Sequence, residues 1–149
     1  MKYSEKINED LRQAMKDRQK DKLEALRAVK TAFTLARSDK GAGSELTDEE
    51  EIKIMQKLVK QRKESAEIYS GQNRPELADK ENVEAEYISE YLPEQMSEED
   101  LTSYLQSLVT RLGASEMRDM GRVMGAATAE LSGKADGKDI SAVVRKLLQ

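Results

Sequence analysis

Four basic residues near the C-terminus are the first arrangement in the chain that suits a particular chemistry. In "RDMGRVMGAATAELSGKADGKDISAVVRKLL" (residues 118–148), Arg118 and Arg122 open a small-residue stretch, and Lys134 and Lys138 flank the turn that follows it. Such side chains bind phosphate oxygens, and a partner so bound releases its counterions. Gly121 and Gly125 interrupt the same stretch, one helical turn apart. A glycine inside a helix costs about 1 kcal/mol relative to alanine. Two of them at i and i+4 leave a smooth stripe that another backbone can approach. The approaching group is either a neighbouring helix or an outside molecule. With Arg118, Arg122, Lys134 and Lys138 beside it, the outside reading is a nucleic-acid surface. The plain alternative is that the four are ordinary solvated charges.

Catalytic chemistry finds no comparable arrangement. The 149 residues include no Cys and no His. The usual general base, thiolate ligands and every Ser-His or Cys-His dyad are therefore excluded. "SGKADG" has the Gly-Lys of a phosphate loop but carries Ala135 where Ser or Thr belongs, and no strand precedes it. "DGKDIS" has too few spaced carboxylates for a calcium loop. The acidic run Asp48–Glu51 follows Thr47, with Glu50 three residues on, and reads as a capping box at a helix start rather than a metal site. The residues point to no catalytic group, no metal site and no cofactor.

The elements that must carry the basic residues are helical throughout. Charged residues make up 36% of the chain and hydrophobic ones 38%, so the core must be built from aliphatic stripes on helices with laced polar faces. Ser4 is expected to cap a first helix with Ile7, Leu11, Ala14 and Met15 on one face. Leu23, Leu26, Val29, Phe33 and Ala36 line a second. A third runs from the capping box to Gly71, with Met55, Val59, Arg62 and Ala66 on its seam. Asn73 is expected to cap a fourth, with Pro75 in its first turn and Glu81 and Glu84 in the middle of its seam. Pro93 ends that helix, and Ser97 with Asp100 starts the next. Met117, Met120, Met124, Ala127 and Leu131 are expected to form the seam of the helix that carries the glycines. Asp136 is expected to cap a last helix lined by Ile140, Val143, Val144, Leu147 and Leu148. The expected fold is all-α: a four-helix N-terminal region over residues 1–93, then a compact C-terminal three-helix bundle over 94–149.

Charge is distributed unevenly. Residues 1–40 hold 11 Lys and Arg against 7 Asp and Glu, residues 41–100 hold 7 against 17, and residues 101–149 hold 7 against 5. The ends are mildly basic and the middle is acidic. No apolar stretch approaches the roughly 18 residues of a membrane span. The N-terminus has charges every few residues, unlike a signal peptide. The expected setting is the cytoplasm, with no membrane partner and no DNA partner.

"DMGRVMG" with "GKADGKDISAVVRKLL", preceded by "EYLPEQMSEEDL" and "KDKLEALRAVKTA", closely resembles the YqeY-like proteins of the GatB/YqeY family across essentially the whole chain. From about Ser97 the chain resembles the tail domain of the B subunit of the tRNA-dependent amidotransferase. That resemblance implies two helical subdomains and a tail that contacts tRNA, with amide transfer carried out elsewhere in the larger enzyme. It makes tRNA the expected partner, alongside an amidotransferase or the aminoacyl-tRNA machinery. The leading expectation is a non-catalytic tRNA-binding accessory protein. The alternatives are a trans-acting component of a carbon–nitrogen ligase that uses glutamine as amide donor, and a protein-interaction module whose acidic middle helices dock a basic partner.

Overall fold

A computed structural model of the protein describes residues 2–149. Among these there are seven α-helices, one 3-10 turn and no strand. The helices are α1 (Lys2–Lys16), α2 (Lys20–Lys40), α3 (Asp48–Gly71), α4 (Pro75–Ser89), α5 (Glu98–Leu112), α6 (Met120–Glu130) and α7 (Gly137–Leu148), with the 3-10 turn Met117–Asp119 leading into α6. The chain separates into two compact units, Met1–Leu92 and Pro93–Gln149.

In the first unit Ile7 of α1, Leu26, Val29 and Phe33 of α2, Met55 and Val59 of α3, and Ile88 of α4 meet in one apolar cluster. The α3–α4 hairpin makes the most extensive helix contact, with the small side chains of Ala66, Ala78 and Ala85 buried along it. The capping box forms as its spacing predicts: Thr47 Oγ1 accepts from the Glu50 amide at 3.1 Å, and Glu50 Oε1 accepts from the Thr47 amide at 3.4 Å.

Two caps expected in this unit do not form. Ser4 lies inside α1, where its amide donates to Glu51 Oε2 at 2.9 Å and its hydroxyl bonds the same oxygen. The Tyr3 amide donates to Glu51 Oε1 at 3.3 Å, and the Lys2 amide to Asp48 Oδ1 at 3.3 Å. The acidic run at the head of α3 thus caps α1, and Glu51 is fully buried in doing so. Asn73 does not cap α4 either. It adopts a left-handed backbone, φ 58°, and Arg74 takes the cap position ahead of Pro75. An Asn tolerates that conformation better than most residues.

In the second unit Leu101, Leu105 and Leu108 of α5, Val123 and Ala127 of α6, Leu131, and Ile140, Val144 and Leu148 of α7 form the core. Ser97 caps α5 by accepting from the Asp100 amide at 3.1 Å. Gly113 closes α5 in the left-handed region, φ 65°, where a residue without Cβ carries no strain. Four residues of the expected methionine seam pack as the spacing predicts, Ala127 and Leu131 in the core and Met120 and Met124 against it, and the fully buried Val123, between Met120 and Ala127 on the same face, joins them. Met117 alone departs: it lies in the 3-10 turn and is 43% exposed. Asp136 occupies the cap position of α7, but its side chain makes no capping bond there.

Candidate nucleic-acid interface

The outer face of α6 follows from its core face. With Val123 and Ala127 pointing inward, the helical period turns Gly121, Gly125 and Ala129 to solvent, and all three are exposed. A methyl group added at Gly121 or Gly125 would meet no other part of the protein within 4 Å. Of the two visitors left open by the sequence, the neighbouring helix is therefore removed. Among the described residues nothing packs against the smooth stripe.

The head of α6 is held by a small polar network. Asp119 Oδ2 accepts from the Ser115 amide at 3.0 Å and the Glu116 amide at 3.2 Å, and Asp119 Oδ1 accepts from Arg122 Nη2 at 3.4 Å. The two amide donors, with Arg122 behind them, hold the Asp119 carboxyl below its usual range. Arg122 Nη1 donates to the Leu112 carbonyl at 2.7 Å, satisfying one of the orphan acceptors at the end of α5. Arg122 is therefore partly committed to the fold. Arg118 is not: its side chain is 82% exposed, and its one ion pair is with Glu116, Nε to Oε2 at 2.8 Å.

Lys134 and Lys138 are exposed beyond the other end of α6. The Lys134 carbonyl accepts from the Met96 amide at 3.0 Å, and Gln95 Nε2 donates to the Gly133 carbonyl at 2.7 Å. These bonds tie the link between α6 and α7 to the segment ahead of α5. Gly133 is buried there with φ 79°, a conformation that favours glycine. Arg118 precedes α6 and Arg122 lies in its first turn, while Lys134 and Lys138 follow its end; the helix between, 11 residues, is about 16 Å long and carries Gly121 and Gly125.

Sequence reasoning missed two polar clusters. Glu130 accepts from Arg111 Nη2 at 2.7 and 2.8 Å and from the Tyr104 hydroxyl at 2.6 Å. Those donors, Arg111 first, hold its carboxyl low, and the same contact raises the Tyr104 phenol. In the first unit Arg62 Nε lies 3.5 Å from Glu84 Oε2, both largely buried, and Arg62 Nε has no hydrogen-bond acceptor. No i, i+4 signal could have revealed either, because the partners are on different helices. Among the described residues no group of three or more His, Cys, Asp or Glu is placed to hold a metal ion, and no helix is long and apolar enough to cross a membrane.

An uncharacterized protein of Schizosaccharomyces pombe is 30% identical over 91 residues, which span 61% of this chain and 72% of that protein. The family described as Yqey-like protein matches residues 4–148. The chain belongs to the YqeY-like family.

Proposed function

We propose that this YqeY-like protein is a non-catalytic, cytoplasmic RNA-binding accessory protein whose partner is tRNA, with residues 94–149 as the binding module and residues 1–93 as a separate helical subdomain. The observation that carries this reading is the open stripe on α6. Gly121 and Gly125 together cost about 2 kcal/mol of helix stability, yet a side chain at either position would meet nothing. An outside partner whose backbone comes close explains that cost. Arg118 at one end of the stripe and Lys134 and Lys138 at the other are exposed, which suits successive phosphates of a strand lying along α6. The likeness to the amidotransferase tail supports tRNA as that strand, and the lack of Cys and His supports a binding role.

The test is binding of full-length protein to tRNA at two salt concentrations, compared with Arg118→Glu/Lys138→Glu. Both residues are exposed, so the variant should melt as the wild type does. It should bind about tenfold more weakly, with a flatter salt dependence. Unchanged affinity and salt slope would remove this face as the RNA site. Failure of the wild type to bind tRNA at either salt would remove the reading altogether.

A further inference from the structure

The solvent face of α2 carries a second arrangement of phosphate-binding type. From residue 22 to residue 38 its exposed positions are Arg27, Lys30, Thr31, Thr34, Leu35 and Ser38. None is acidic, although 29 of the 149 residues are Asp or Glu and the net charge is −4. Carboxylates stand only at its borders: Glu24 is half-buried and held by Lys80 at 3.0 Å, and the exposed Asp21 and Asp39 lie just beyond the two ends of the run. Arg27, Thr31, Thr34 and Ser38 follow spacings of four, three and four residues and so form one row. Lys30 and Arg37 lie in the row beside it. Thr34 Oγ1 donates to the Lys30 carbonyl at 2.9 Å and receives Arg37 Nη2 at 3.4 Å, which draws the Arg37 guanidinium along the stripe.

We infer that this face of α2 binds the sugar–phosphate backbone of RNA, as a contact surface separate from that on α6. The inference rests on the reading that RNA is the partner. Three cations spread along about 15 Å of helix span several phosphates of one strand. The free hydroxyls of Thr31 and Ser38 offer the neutral donors that commonly accompany cations on phosphate oxygens. An acidic protein would satisfy the same charge but needs apolar or aromatic anchors for a stable interface. Here Leu35 is the single large apolar side chain exposed, and Phe33 is buried. Contacts to phosphate oxygens carry no sequence information, so binding through this face is indifferent to sequence.

The experiment compares wild type with Arg27→Gln/Lys30→Gln, both full-length. Fluorescently labelled tRNA, a hairpin RNA of unrelated sequence and polyglutamate serve as probes at low and moderate salt. Neither side chain packs in the core, so the melting temperature serves as the folding control. The inference expects about tenfold weaker binding to both RNAs and a salt slope lower by about 1.5, the counterions of two lost phosphate contacts. If the wild type binds RNA and the variant binds it equally, this surface is overturned while the α6 reading stands. If the wild type binds neither RNA, both are overturned. Wild-type retention of polyglutamate that the variant loses, with no change toward RNA, overturns it in favour of an acidic protein partner.

Discussion

The two units build their interiors from different material. In the first, carboxylates are inside: Glu51 is fully buried and Glu84 is 8% exposed. Each reaches a distant segment, Glu51 to the start of α1 and Glu84 to Arg62 of α3. In the second unit the buried side chains are Leu, Ile, Val and Ala alone. Its polar contacts lie at helix ends and on the surface, in the Asp119–Arg122 and Arg111–Glu130–Tyr104 groups. Interior polar residues in the first unit therefore have structural work that explains them. The glycines of α6 have no such internal explanation, and their account has to come from outside.

The largest effect that sharpens this contrast is expected at Glu51. Glu51→Ala leaves the part-buried Tyr3 and Ser4 amides of α1 without acceptors and should cost about 3 kcal/mol by urea denaturation. Asp119→Ala, which also removes an amide acceptor but at the surface, should cost clearly less. Equal losses would break the comparison between the units.

Next comes the buried pair. Arg62→Leu leaves Glu84 without its counter-charge and should cost about 2–3 kcal/mol. Adding Glu84→Leu should recover much of that loss, since two apolar side chains replace two desolvated charges. Burial holds the Glu84 carboxyl above its usual 4.5, with Arg62 opposing. A carboxyl whose pKa is raised by folding contributes fully below its unfolded value and less as pH rises through the folded one. Wild type should therefore lose stability relative to Glu84→Gln as pH rises above 4.5. Glu130 in the second unit is held low by Arg111 and has the opposite sign. Its contribution is present above the unfolded value and fades as pH falls, so Glu130→Gln should converge on wild type in acid. Unfolding curves across pH check both signs.

A smaller effect is expected at Arg122, whose bond to the Leu112 carbonyl should be worth about 1 kcal/mol in the melting of Arg122→Ala. If the two subdomains are independent, residues 94–149 alone should still unfold cooperatively, with modest stability at that size. A fragment without cooperative unfolding would show that its apolar seams do not suffice.

What the sequence disclosed and what it hid divide by range. The capping box at Thr47, the cap at Ser97, Pro75 at the start of α4 and Gly113 at the end of α5 are local devices, legible because donor and acceptor lie within four residues. The cap on α1 was hidden because its acceptor, Glu51, is 47 residues from Ser4, and only packing brings them together. The seam of α6 was legible from Met120 to Leu131, and only Met117 falls outside it, because three residues of 3-10 turn precede the helix. Arg118, Arg122, Lys134 and Lys138 were recognisable by type, but the elements that carry them, a 3-10 turn, α6, the link and α7, were not separable by type alone. Whether Gly121 and Gly125 face inward or outward was undecidable from spacing alone, because both faces of α6 carry small residues.

That outward orientation is where the account is most directly tested. In Gly121→Gln/Gly125→Gln, two glycines give way to longer side chains with better helix propensity, on a surface where nothing stands against them. Melting temperature and tRNA affinity are measured on the same samples. Melting at or above the wild-type temperature is expected, together with binding weakened about tenfold or more, roughly 1.4 kcal/mol. Melting below wild type would mean the stripe has an internal role. Higher melting with unchanged tRNA affinity would mean the open glycines serve something other than RNA.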